Sequence, residues 1–125
     1  MSGGMTNYAA NAVLNGTPIP LTLFLKFHIG DPGPDALLNV ASHATRKQLD
    51  FVDSDTLLRL WNDAAASWPG ISVTETVPYF SLWDDVSAGN PWFIGEFLPS
   101  FELVASSTAT VNQHTIFVDA IPYGV

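Results

Sequence analysis

The chain has 125 residues, including eight Phe, four Trp and three Tyr, with 47% hydrophobic and only 13% charged residues. That length suits one domain with a real core, and the hydrophobicity excludes a disordered chain. Four cations against twelve anions leave a net charge of −8, so no basic groove for nucleic acid is available and anionic membrane surfaces are disfavoured. The absence of cysteine excludes disulfides, Cys-ligated zinc, iron–sulfur clusters and Cys nucleophiles. No basic region followed by an apolar stretch opens the chain, so no secretory signal is expected. The longest apolar-rich stretch, Leu21–Ile29, is interrupted by Lys26 and His28 and is too short to span a bilayer.

Residues 1–5 read as a loose tail. Thr6 caps a predicted helix over Asn7–Asn15, with Gly16 as its left-handed stop and Tyr8, Ala12 and Val13 facing inward. Pro18 and Pro20 lead into an extended segment. From Leu21 to Ile29 every odd position is apolar, the period-2 pattern of a half-buried strand. Gly30-Asp31-Pro32-Gly33-Pro34 is a turn, because Pro fixes φ and Gly permits positive φ. Thr45–Val52 predicts a second strand with Leu49 and Phe51 on one face.

Thr56–Trp68 fits two patterns. Leu57, Leu60, Trp61, Ala64 and Ala65 form a helix face with Asp55 as cap, while Leu58 and Leu60 alternate as in a strand. After the Pro69-Gly70 turn, Ser72–Trp83 predicts a long strand. Its inward parity changes at Pro78, from Val73 and Val77 to Phe80 and Leu82, which calls for a bulge. Asp84–Pro91 is a hairpin-like loop. Trp92–Leu98 is a strand broken by Pro99, and Phe101–Val104 and Gln113–Ile121 complete the set around a Ser/Thr-rich stretch at 106–112. About seven short strands with regular turn signals predict an antiparallel, jelly-roll-like β-sandwich over residues 6–125, with a short N-terminal helix.

Chemistry-bearing groups are sparse. His28, His43 and His114 lack metal-ligand spacing, although His28 and His114 lie in predicted strands that could meet across a sheet. Asp53-Ser54-Asp55 and Asp84-Asp85 do not extend into a calcium loop and suit turns and caps better. No phosphate loop, nucleophile elbow or zinc-protease motif is present, so neither cofactor nor enzyme activity is expected. The four Trp are the richest feature; each is a core filler, a sugar platform or an interface anchor. Low charge with many aromatics favours subunit contacts.

Several segments, taken in order, resemble a family of small β-sandwich virion proteins of tailed bacteriophages, described as tail-fibre-like, head-fibre or minor capsid proteins. The segments are Asn11-Ala12-Val13-Leu14-Asn15, Leu23 to Gly33 ending in Gly-Asp-Pro-Gly, and Arg46-Lys47-Gln48-Leu49-Asp50-Phe51. The most specific are Thr74 to Asp84, containing Ser81-Leu82-Trp83-Asp84, and Ala88-Gly89-Asn90-Pro91-Trp92-Phe93-Ile94-Gly95. The resemblance covers about residues 11–121 and favours a strand over Ala64–Trp68. It departs at Pro78–Tyr79, where His is usual, and at Thr56–Arg59.

The resemblance implies a virion structural protein without catalytic residues. The expected role is a capsid decoration or minor capsid protein on the outer head surface, bound to the major capsid protein as a homo-oligomer, a trimer by preference. An acidic chain suits the outside of a shell that holds DNA. A tail or tail-fibre component is the alternative, and a carbohydrate-binding module for a host-surface glycan is the alternative of another class. Interface candidates are Phe24, Lys26 and His28 on the first long strand, Asp31, Pro32 and Pro34 in the following turn, and Trp92. The loops at 31–43 and 84–91 and the N-terminal arm are further candidates.

Overall fold

A computed structural model describes residues 3–53 and 59–122. These form β1 (Gly3–Met5), α1 (Asn7–Leu14), β2 (Thr22–His28), β3 (Lys47–Asp53), β4 (Arg59–Asn62), β5 (Ala66–Trp68), β6 (Glu75–Trp83), β7 (Pro91–Leu103), β8 (Ala109–Val111) and β9 (Phe117–Pro122). The expected class holds: the chain is mostly antiparallel β with one short helix. The main sheet closes in the order β1-β7-β6-β2-β3-β4-β9, and β5 and β8 form a separate two-stranded sheet. Closure removes the open edges a flat sheet would carry.

The seam is made by the segment expected as a tail. Gly4 pairs antiparallel with Ile94, and Gly3 pairs parallel with Val118. Without β1, the edges of β7 and β9 would leave backbone groups unpaired beside the core. Met5 then enters that core. Thr6 secures the join: its hydroxyl donates to the Pro91 carbonyl at 2.6 Å and accepts from the Ala9 N–H at 3.1 Å, capping α1 as predicted. The inward face of α1 differs from expectation. Ala9 is buried and Ala12 packs on the core, whereas Val13 is exposed and Tyr8, partly exposed, sets its ring edge-on against Trp92. A short helix lying on β7 brings its backbone close only through its smallest side chains.

Strand parity follows the sequence except at the strand ends, where Leu21, Ile29 and Val73, expected inward, are exposed beyond the limits of β2 and β6. Leu23, Leu25 and Phe27 of β2, Leu49 and Phe51 of β3, and Val77, Phe80 and Leu82 of β6 are all buried in one core. The predicted slip at Pro78 is present: Val77 pairs with Phe101 and Tyr79 with Glu96, so Pro78 stands opposite Phe97, Leu98, Pro99 and Ser100 of β7. Pro99 therefore does not end a strand. It sits in the bulge, where no ladder N–H is required, and the two expected strands at 92–98 and 101–104 are one element.

The ambiguous region becomes β4 and β5, both strands, while 54–58, with the proposed Asp55 cap, lies outside the described residues. The Ser/Thr-rich stretch contributes β8. The strand expected from Gln113 begins only at Phe117, because buried Asn62 holds 112–116 as a turn. Its Oδ1 accepts from the N–H groups of Thr115 and Ile116 at 3.0 and 2.8 Å, and its Nδ2 donates to the Asn112 carbonyl at 2.8 Å.

Candidate docking surfaces

The outer face of β2 and β6 carries a second, polar core beneath the 30–41 loop. His28 and Ser81 are fully buried. The His28 Nδ1 lies 2.8 Å from the Leu38 carbonyl, which only accepts, so Nδ1 carries the proton. Nε2 then accepts from the Ser81 hydroxyl at 2.7 Å, and Ser81 Oγ accepts from the Trp83 indole N–H at 2.8 Å. Burial pushes the imidazole down to about 4, with the Leu38 contact opposing and Lys26 adding to the shift. A Ser–His pair of this kind is not a nucleophile. Neither side chain reaches solvent, and the indole proton occupies a lone pair of the hydroxyl.

The same loop is fixed in an unusual shape. Ala36 and Asn39 adopt φ of 58° and 54°, a left-handed conformation that costs a non-glycine residue roughly 1–2 kcal/mol. The Ala36 methyl is buried with Trp83 and Ile94, and the Asn39 amide donates to the Asp31 carbonyl at 2.8 Å. Between these anchors Leu37 and Leu38 are 69% and 59% exposed. Ile29 and Val40 beside them are exposed as well.

The sequence-predicted contact residues separate accordingly. Asp31 and Pro34 are exposed, and Phe24 and Lys26 are half-buried. His28, Pro32 and Trp92 are buried within the chain and offer no surface. Lys26 and Arg46 both lie over the Trp83 ring, at 5.5 and 4.0 Å from its centroid. Sequence reasoning placed the 31–43 loop at a contact but passed over Leu37 and Leu38. Two adjacent leucines between turn residues, outside any periodic segment, were the available signal.

Asp84, Asp85 and His114 have local partners. Asp84 accepts from the Asn90 N–H at 2.8 Å and the Trp92 indole at 3.1 Å, while Asp85 accepts from Ser87 and Ala88. Those backbone bonds hold the Asp85 carboxyl below the usual range. The Asp pair therefore shapes the 84–91 loop. His28 and His114 do not meet. His114 instead stacks on Trp61, with centroids 4.0 Å apart. Trp68, Trp83 and Trp92 are buried.

A cleft of about 670 Å³ opens beside the β7 bulge. Phe97, Phe101, Phe117 and Ile116 supply its apolar lining, and Glu96, Glu102 and Arg59 its charges. Arg59 is held by Asp119 through two hydrogen bonds of 2.7 and 3.2 Å. Sequence reading missed this cleft, because its walls come from four separate segments: Arg59, Phe80, 96–102 and 110–117.

The model of the family described as "Podophage GP4 fiber I protein gp80" matches residues 4–119, from β1 into β9. The chain belongs to this family. It is a phage virion structural protein, as the resemblance implied. No curated protein matches the chain.

Proposed function

We propose that this chain works on the outside of the virion as a docking block, joined to copies of itself and to neighbouring virion proteins, with no reaction to perform. The observation that carries this reading is the pair Leu37 and Leu38, held exposed by a loop that tolerates two left-handed non-glycine residues. Apolar side chains presented at a conformational cost are characteristic of contact sites.

In the first form of this reading the protein decorates the head. Trimers bind the major capsid protein on the outer surface and stabilise the shell by adding buried area. The net charge of −8 supports an outer position over a DNA-filled lumen. The second form, a tail or fibre component, is favoured by the word fiber in the family's description. A glycan-binding role has less support, since three of the four Trp are buried and one face of the half-buried Trp61 is taken by His114.

Copy number decides between the two forms. Gel densitometry of purified particles gives hundreds of copies for head decoration and a few for a tail fibre. Particles lacking the protein should form and release DNA at lower temperature in the head form; unchanged thermal stability selects the fibre.

A further inference from the structure

Two cations meet over Trp83, on the outer face where β2 joins β6. Lys26 and Arg46 both lie over its indole. Among the described residues the Lys26 ammonium makes no hydrogen bond and no ion pair. Arg46 donates through Nη1 alone, to the carbonyls of Asp85 and Ala88, which leaves Nε and Nη2 without acceptors there. Asp85 and Asp84 offset part of the Arg46 charge, but their carboxylates accept from the 84–91 backbone and the Trp92 indole.

These nitrogens are accessible. Among the described residues no buried side-chain nitrogen lacks a hydrogen-bond partner, so the unpartnered donors of Lys26 and Arg46 reach solvent. Partial burial, and then the nearby guanidinium, push the Lys26 amine below its ordinary value. A carboxylate set between the two cations would offset that repulsion and accept from both, as a charge-assisted contact. The exposed leucines adjoin the place. Lys26 and His28 share the outer face of β2, and His28 holds the Leu38 carbonyl.

The chain itself is the acidic partner at hand. With twelve anions against four cations, copies repel one another over most of their surface. A contact between copies is favoured where anions of one meet cations of the other, and Arg59 is already paired with Asp119. We propose that Lys26 and Arg46 receive an Asp or Glu carboxylate of a second copy of this chain, with Leu37 and Leu38 packed beside it. The inference rests on the docking reading above and names the partner and the charge chemistry of that surface.

Sedimentation of the purified chain between about 1 and 100 µM tests it. The chain should self-associate, and raising salt from about 50 to 500 mM should weaken the association about tenfold. Lys26→Glu should weaken it about tenfold or more at low salt, with thermal unfolding of the dilute chain no lower than the parent's. Lys26→Arg should keep it. Lys26→Gln, which retains most of the stem, repeats the test if the charge reversal disturbs the fold. Zero-length carbodiimide coupling of mixed light and heavy-isotope chains should join Lys26 of one copy to an Asp or Glu of another, read by mass spectrometry. An oligomer indifferent to salt and to Lys26→Glu, but dissociated by Leu37→Ser with Leu38→Ser, overturns the carboxylate site and leaves the docking reading standing. A monomer under every condition, or Lys26 coupled in particles only to a different protein, overturns the second copy as occupant. A chain absent from purified particles overturns the docking reading itself.

Discussion

The Ser81 hydroxyl donates to His28 Nε2 across the β2–β6 ladder, at 2.7 Å and out of reach of solvent. The chain of donors runs from the Trp83 indole through Ser81 and the imidazole to the Leu38 carbonyl. It ties the 30–41 loop to the barrel wall, and it works only with a neutral His28. A proton on Nε2 would face an oxygen already receiving the indole proton, leaving the hydroxyl proton without an acceptor.

Acid should therefore loosen the fold in a defined window. The folded-state value is about 4 against an ordinary 6.5, so the unfolded chain binds the extra proton first as pH falls. The stability is fully present above 6.5 and is lost as pH falls toward 4, a change of about 3 kcal/mol at most. Urea unfolding at pH 7, 5.5 and 4.5 should show this loss, and His28→Asn should flatten it. Asp85, held low, contributes in the same direction but below the ordinary carboxylate range. An equal pH slope in the variant and the parent would refute the assignment to His28.

Gly95 lies opposite Phe80 on the β6–β7 ladder, and a Cβ there would run into the Phe80 ring. Gly95→Ala should cost about 1–3 kcal/mol by overpacking. Trimming the ring in Phe80→Leu should recover part of that loss, so a double-mutant cycle in urea should give clear coupling between the two positions.

Arg46 joins three parts of the molecule. Its Nη1 donates to the carbonyls of Asp85 and Ala88 at 3.0 and 2.7 Å, and its guanidinium lies over Trp83. Arg46→Met should destabilise by about 1–2 kcal/mol and change Trp emission. Arg46→Lys should restore little, because an ammonium does not reproduce the planar fork. Chemical denaturation followed by fluorescence measures both.

Leu37→Ser with Leu38→Ser should leave the purified chain within about 0.5 kcal/mol of its parent, since both side chains are exposed. Occupancy of the particle should fall. An unchanged copy number per particle would remove the loop from the docking surface.

Much of the fold is readable from local pattern. The alternation at 21–29 places Leu23, Leu25 and Phe27 inward, Thr6 announces its helix, and the parity change at Pro78 marks the bulge. The helix face was read correctly at Ala12 but misled at Tyr8 and Val13, because the close approach to β7 admits only the small side chains of Ala9 and Ala12. The candidate site was less legible. The loop at 31–43 was marked by its turn residues, but neither Leu37 and Leu38 nor the cleft follows from any local motif.

The sequence by itself determined which side of β2, β3 and β6 is buried, where the Pro- and Gly-marked turns fall, and that the chain is an acidic, cysteine-free, β-rich protein. Side-chain period and turn chemistry are local properties, so they survive without knowledge of the partner strand. Only the tertiary structure decided that Gly3–Met5 closes the barrel between β7 and β9, that His28 is sealed under a loop, and that β8 and the β7 bulge share a cleft. Those outcomes depend on which backbone edges remain unpaired once distant strands have met, and no single segment carries that information.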